Sequence, residues 1–367
     1  MVDRNATSIG RDAGPLDANN PTLGTNPFWA FEYLFTNYDV LALEERIILA
    51  LRGIQPIYFP LLAIFTVPVN SVAIVILSRG KCGLSECVTR YLVAMAAADL
   101  VVVVLDLIWR HIPMTYRDQF SFLWSIPVCN FHAVLLYADA DCSVWFTVAF
   151  TFDRTLAICC QKLKLKYCTK RIAAVVLWTV ALVSCLKNIF WYFMLTGEYN
   201  FHNDPFICRE RPGILESQIW AAVELIHYII TPVAPFFLVM LFNVFTVRHI
   251  VMANRARRRL RAPSNGETPK DPGMESRRKS IILLLAVSGN FVLLWFVFMV
   301  HSIWNRMYWL GYRVKVPPEI VQRTGYVLQH LSCCTNTGVY ALTQSKFRQQ
   351  LGMALIYPLT RLARVFK

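Results

Sequence analysis

Asp99 stands in Ala96-Ala97-Ala98-Asp99-Leu100, where an ionised carboxylate inside an apolar run is costly unless something pairs with it. Asp139 and Ser143 share one helical face at i, i+4 spacing, and Asn336 lies at similar depth in a later apolar run. If these four converge, they form an oxygen-rich pocket suited to a hard monovalent cation such as sodium. With both carboxylates ionised and no cation, repulsion would force one to protonate. An interhelical hydrogen-bond network around a neutral Asp accounts for the same residues. Asp153-Arg154, in Thr151-Phe152-Asp153-Arg154-Thr155, places an acid beside a guanidinium that it can hold at rest. Once released, the guanidinium offers a multi-donor fork to a partner's carbonyls. Asp141 and His227 are candidates for a charged pair across two helices, although a packed, hydrogen-bonded histidine is the plainer account. Glu224 and His227, at i, i+3, lack further metal-ligand partners. Neither a metal nor catalysis is therefore expected.

The elements that must position these residues follow from composition. Of 367 residues 56% are hydrophobic and only 16% charged, and mean hydropathy is +0.43, more apolar surface than a soluble core needs. Seven long apolar runs recur, near 54–77, 89–109, 126–160, 172–195, 217–247, 280–304 and 318–342. Hydrocarbon offers no partner to free backbone groups, so each run must be a helix. The expected fold class is all-α, a seven-transmembrane bundle. The expected division is an outer segment over 1–53, the bundle over 54–343, and a short amphipathic helix with a tail over 344–367. Residues 26–53 mix aromatics with acids, have helical spacing over 41–51, and read either as a cap over the mouth of the bundle or as an interfacial helix. Residues 253–276, rich in Arg, Pro and Gly, read as disordered between two helix extensions.

Lys and Arg collect after the first, third and fifth runs and in the tail, which predicts that those faces are cytoplasmic. The N-terminal segment shows no apolar signal region, is slightly acidic and carries the sequon Asn5-Ala6-Thr7, so it is expected outside, with Asn5 a glycosylation acceptor. The net charge of +14 then reflects inside-positive bias and attraction to anionic lipids rather than nucleic acid. Only Cys129 and Cys208 of the 11 cysteines fall on the outer side, which implies one disulfide, with two free thiols as the alternative.

Together these residues resemble the signature of the rhodopsin-like (class A) G-protein-coupled receptors. Asn70, Asp99, Trp178 and Pro235 stand where that family has its helix markers, and Cys129 and Cys208 match its disulfide. Asp153-Arg154 resembles the Asp-Arg-Tyr motif, Trp295 the toggle Trp, and Asn336-Thr337-Gly338-Val339-Tyr340 the Asn-Pro-x-x-Tyr motif. Lys346-Phe347-Arg348 then opens the eighth helix. The resemblance implies coupling through Asp153 and Arg154, and an activation switch at Trp295, Asn336 and Tyr340. It also implies a plasma-membrane, multi-pass receptor for an extracellular ligand, partnered by a heterotrimeric G protein; the polar pocket and the basic charge add sodium as a candidate modulator and membrane lipids as partners. A looser similarity, through Tyr91 to Asp99 and Ile226-His227, is to brain orphan receptors that sense aromatic amino acids. The chain departs from the family at Thr155, Asn243, Val297 and Thr337, the last two replacing prolines that kink helices. A non-signalling or ligand-independent receptor-like protein is therefore the alternative.

The expected ligand pocket comprises Asp106, Leu136, Asp141, Glu224, His227, Phe298, His301, Tyr326 and Gln329, with Trp109 and Tyr137 beside it. Leu136 occupies the position where amine receptors have an Asp, and Phe298 the position of an Arg in the aromatic-amino-acid relatives. Both argue against those ligands and leave a peptide or a small polar or aromatic molecule. A channel or transporter would need converging polar residues along a path or paired repeats, and no repeat is present. A retinal pump would need a Lys in the last run, whereas Lys187 is in the fourth.

Overall fold

The computed structural model describes residues 28–200, 208–214, 217–260 and 272–354. Asn5 and residues 261–271 of the expected loop at 253–276 lie outside them, while 253–260 and 272–276 are helical rather than loop. The first helix, α1 (Trp29–Thr36), packs Ala30 and Leu34 on Leu41 and Leu49. The first span, α2 (Leu43–Ser78), begins well before Ile54, so residues 43–51 continue into the span rather than forming a helix of their own. At its start Glu45 accepts a hydrogen bond from the N–H of Ala42, 2.9 Å away. Pro56, Pro60 and Pro68 lie inside it without ending it, as prolines in membrane helices do where neighbouring groups satisfy the freed carbonyls.

Gly80, with φ of +68°, turns the chain toward α3 (Glu86–Thr115), whose N-cap Ser85 accepts from Val88 N. The helix is α-helical to Val102 and π-helical over Val103–His111. Next come α4 (Cys129–Cys159), the short α5 (Gln161–Tyr167) and α6 (Lys170–Met194). Strands β1 (Leu195–Tyr199) and β2 (Cys208–Glu210) pair antiparallel beyond α6. A Cβ at Gly197 would stand 2.7 Å from the Pro127 carbonyl oxygen, so only glycine lets the hairpin lie this close to the start of α4.

The fifth span, α7 (Gln218–Ala256), is broken where Thr231 takes φ −145°, ψ 115°. The break lies at Thr231-Pro232, ahead of Pro235, the proline the resemblance pointed to. Pro235 instead sits in the first turn of the segment that follows, where a missing N–H costs no helical bond. Two uninterrupted helices, α8 (Pro272–Trp309) and α9 (Glu319–Thr343), complete the spans, and residues 345–354 form a final helix, α10.

Six of these helices are long and apolar enough to cross a membrane: α2, α3, α4, α6, α7 and α8. The seventh, α9, has 25 residues and is more polar because Ser332, Asn336 and Thr337 face inward. The spans close a ring through the pairs α2·α3, α3·α4, α4·α7, α7·α8, α8·α9 and α9·α2, with α6 laid against α4. The ring closes near one end through Arg52, whose guanidinium donates two bonds of 2.8 Å to Glu319. The outward faces are apolar, and Trp178 is 77% exposed there, a lipid-facing position. Inside, one apolar cluster (Leu77, Tyr91, Met95, Phe150, Tyr340, Phe347) fills the end bearing Arg154, and another (Trp191, Met194, Leu195, Tyr199) surrounds the disulfide.

Candidate functional site

At the Arg154 end of α4, Nε of Arg154 donates to Asp153 Oδ2 at 2.9 Å, and Nη2 bonds the same oxygen. Both residues are buried, so the adjacent acid and guanidinium form a closed ion pair. Two thiols join it: Cys87 donates to Asp153 Oδ1 at 3.2 Å, and Cys168 to the Asp153 carbonyl at 3.5 Å. Burial, with Asp153 beside it, pushes the Cys168 thiol up to about 11, so it stays protonated and can donate at neutral pH. Thr155, in the position of the motif's Tyr, meets the Thr246 hydroxyl at 3.0 Å. Asn243 exchanges hydrogen bonds with Ser288 at 2.8 and 3.1 Å. These contacts pin α4 to α7 and α7 to α8. Arg154 lines a cavity of about 730 Å³ together with Lys164, Lys279 and Lys346, and its described lining includes no acid.

Midway through the bundle, Asp99 accepts from Ser143 and from Asn336, each at 2.9 Å. The expected polar network thus forms, and Asn290 joins it through Thr335 and Asn336. Asp139 is the expected fourth member, yet its Oδ2 is buried with no hydrogen-bond partner. Two carboxylates, one with an unsatisfied oxygen, fit a hard cation. Beside them a void of about 10 Å³ lies between Ser143 and Trp295. Trp295 donates to Ser332 Oγ at 3.1 Å. Thr337 donates to Asn70 Oδ1 at 3.0 Å, and Asn70 in turn donates to the Cys333 carbonyl at 2.8 Å. Tyr340 is buried against Phe347, with its hydroxyl unpartnered.

Toward the disulfide end the expected pocket residues separate into different assemblies. Asp141 does not meet His227. Its carboxylate pairs with Lys187 at 2.6 Å and accepts from Asn188 at 2.5 Å, both on α6. Lys187 also donates to Thr231 Oγ1 at 3.3 Å, and Trp145 donates to the same oxygen at 3.1 Å, so one buried network ties α4 and α6 to the break in α7. The cause is depth: Lys187 reaches Asp141 from the neighbouring helix, whereas His227 lies one helical turn nearer the disulfide end of α7 than Thr231. His227 is enclosed instead by the rings of Tyr137, Phe190, Trp191 and Tyr228. Glu224 is ion-paired with Arg306. Asp106 meets Arg110 at 3.0 Å and His330 at 2.8 Å. Phe298, Tyr326 and His301 form an aromatic group, Leu136 is buried and Gln329 Oε1 is unpartnered. Trp109 packs beside His132, 5.5 Å between ring centres, and is partly exposed to the bundle's surface.

Sequence reading missed Lys187, Arg110, Arg306, His330 and Cys87. The basic ones were visible as charges inside or at the edges of apolar runs, a strong signal in itself. Cys87 carries no such mark.

Cys129 and Cys208 form the disulfide, which joins the start of α4 to β2. A ring of membrane helices, a disulfide-tied hairpin at one end and an Asp-Arg lock at the other define a seven-helix receptor architecture. Residues 69–340 match the family described as 7 transmembrane receptor (rhodopsin family), and the chain belongs to that family, the G-protein-coupled class, which are receptors and not enzymes. Among curated proteins it is similar to B2 bradykinin receptors. It is 24% identical to that of Rattus norvegicus over 282 residues, 75% of this chain and 65% of the receptor. It is 22% identical to that of Homo sapiens over 311 residues, 82% of this chain and 73% of the receptor. The chain therefore spans just under two thirds of the rat receptor's length. As a member of this family with six strongly apolar helices, it is a multi-pass plasma-membrane protein.

Proposed function

We propose that the chain carries an extracellular ligand's signal to a heterotrimeric G protein by rearranging its transmembrane helices. The observation that carries this is the buried Asp153–Arg154 pair facing a cationic cavity of about 730 Å³ between helix ends. Opening the pair frees a guanidinium into that cavity, where it can bind a partner's carbonyls. A ligand that favours the open arrangement shifts the population toward it. In this reading the disulfide and hairpin face outward, the basic end faces the cytoplasm and the N-terminus is extracellular. Inside-positive charge supports that orientation. Sodium at Asp99, Asp139, Ser143 and Asn336 would favour the resting arrangement by satisfying both carboxylates.

Bradykinin is the first ligand to try, because the similar receptors are named for it. Small peptides and aromatic amino acids follow. The test is activation of each G-protein class in cells expressing the parent and Arg154→Ala at matched surface levels. A ligand-dependent or basal signal present in the parent and lost in the variant is expected. A parent signal that the variant keeps would rule out the Arg154 route.

A second reading, a receptor-like chain that does not signal, draws on Val297 and Thr337 in α8 and α9 in place of the family's prolines, and on the bond between Thr337 and Asn70. It predicts silence in every G-protein class even with ligand bound.

A further inference from the structure

The π-helical stretch Val103–His111 of α3 changes which of its side chains stand together. Five residues along an α-helix turn a side chain about 140° away, so Asp106 and His111 would face different neighbours. A π-helix takes about one more residue per turn, which brings His111 back beside Asp106. His330, on α9, meets them from across the bundle. One ligand atom from each of the three lies within 4.8 Å of the others.

The polar atoms of this group are poorly matched to one another. His330 has Nδ1 2.6 Å from the Tyr326 carbonyl oxygen and Nε2 2.8 Å from Asp106 Oδ2. A neutral imidazole has one N–H, yet both nitrogens face acceptors. One contact needs either a second proton or a cation in its place. His111 Nε2 stands 3.7 Å from Asp106 Oδ1 and has no hydrogen-bond partner, while that oxygen is ion-paired with Arg110 at 3.0 Å. Bonds of about 2.0–2.2 Å around a tetrahedral zinc place ligand atoms about 3.4 Å apart, between the two spacings seen here. The surroundings also suit a metal. The Tyr326 carbonyl can take the Nδ1 proton of His330 and so leave Nε2 free to ligate. Phe59 stacks on His111 at 4.3 Å and holds its ring in place.

We infer that Asp106, His111 and His330 form a binding site for a zinc ion that clamps α3 to α9 at the outer end of the bundle. Two imidazoles and one carboxylate suit zinc, while calcium and magnesium prefer sets of oxygen ligands. Three protein ligands leave a fourth position for water or for a donor on a bound ligand. Arg110, 3.0 Å from Asp106 Oδ1, adds a competing positive charge, so zinc binds more weakly here than at a closed structural site and its role is regulatory.

The test needs no G protein, so it stands or falls separately from the signalling reading. Purified full-length protein in lipid nanodiscs is titrated with zinc chloride by calorimetry, with calcium and magnesium present in excess. The parent should bind one ion per chain, and His111→Ala and His330→Gln should each lose at least about tenfold in affinity. His111 ends the π stretch and leaves the Asp106–His330 contact in place, so its variant should fold even if that of His330 does not. No zinc binding by the parent, or binding that His111→Ala retains in full, overturns the site.

Discussion

Cys87 gives the Asp153–Arg154 pair a third member, and its thiol is the one side-chain donor to Asp153 Oδ1 among the described hydrogen bonds. Cys87→Val removes that donor at similar volume. The expected loss is about 1 kcal/mol from the resting state, which raises basal signalling about fivefold without altering surface expression. Measuring basal second-messenger output at equal surface density checks it. Lys187→Met acts differently, because it leaves Asp141 buried without its cation. Breaking one half of a buried pair costs about 3–5 kcal/mol, so thermal stability in detergent should fall sharply. Adding Asp141→Leu should restore much of it, and a double variant no more stable than Lys187→Met would refute the pairing. The lock itself was legible, since Asp and Arg are adjacent in the chain. The partner of Asp141 was not. Hydropathy gives a residue's depth along a span but not which neighbouring helix it faces, and Lys187 lies 46 positions away by sequence number.

At the scale of elements, helix existence and approximate bounds could be read from apolar runs, because every span must satisfy its own backbone. The interruptions could not. Two prolines lie close together in α7, and the break occurs at Thr231-Pro232, where Trp145 and Lys187 supply Thr231 with hydrogen bonds. The π stretch of α3 carries no proline or glycine to announce it. Where the family's pattern has a proline, α9 is uninterrupted and Thr337 bonds Asn70. Thr337→Pro would remove both that bond and a backbone N–H inside the helix. It is expected to destabilise the protein by about 3 kcal/mol, read as a lower melting temperature. An unchanged melting temperature would mean that α9 tolerates a kink and that the Asn70 contact contributes little.

For the whole molecule, the ring of spans is tied at the disulfide end by covalent and ionic links, through Cys129–Cys208 and Arg52–Glu319. The disulfide bridges residues 79 apart, so replacing both cysteines with serine should cost about 2–5 kcal/mol and reduce surface expression. The other end is held by side-chain hydrogen bonds and the Asp153–Arg154 pair, which can open and reclose. In the proposed reading, rigidity at the disulfide end and a releasable pair at the other are what a transducer requires.

The most direct test of that account is nucleotide exchange on a responsive G protein, measured with purified parent, Asp153→Asn and Arg154→Ala in nanodiscs. Asp153→Asn weakens the lock but keeps the guanidinium, so its basal exchange should exceed the parent's, while Arg154→Ala should fall to the rate without receptor. Equal rates for all three, with each correctly folded, would contradict a mechanism that runs through the release of Arg154.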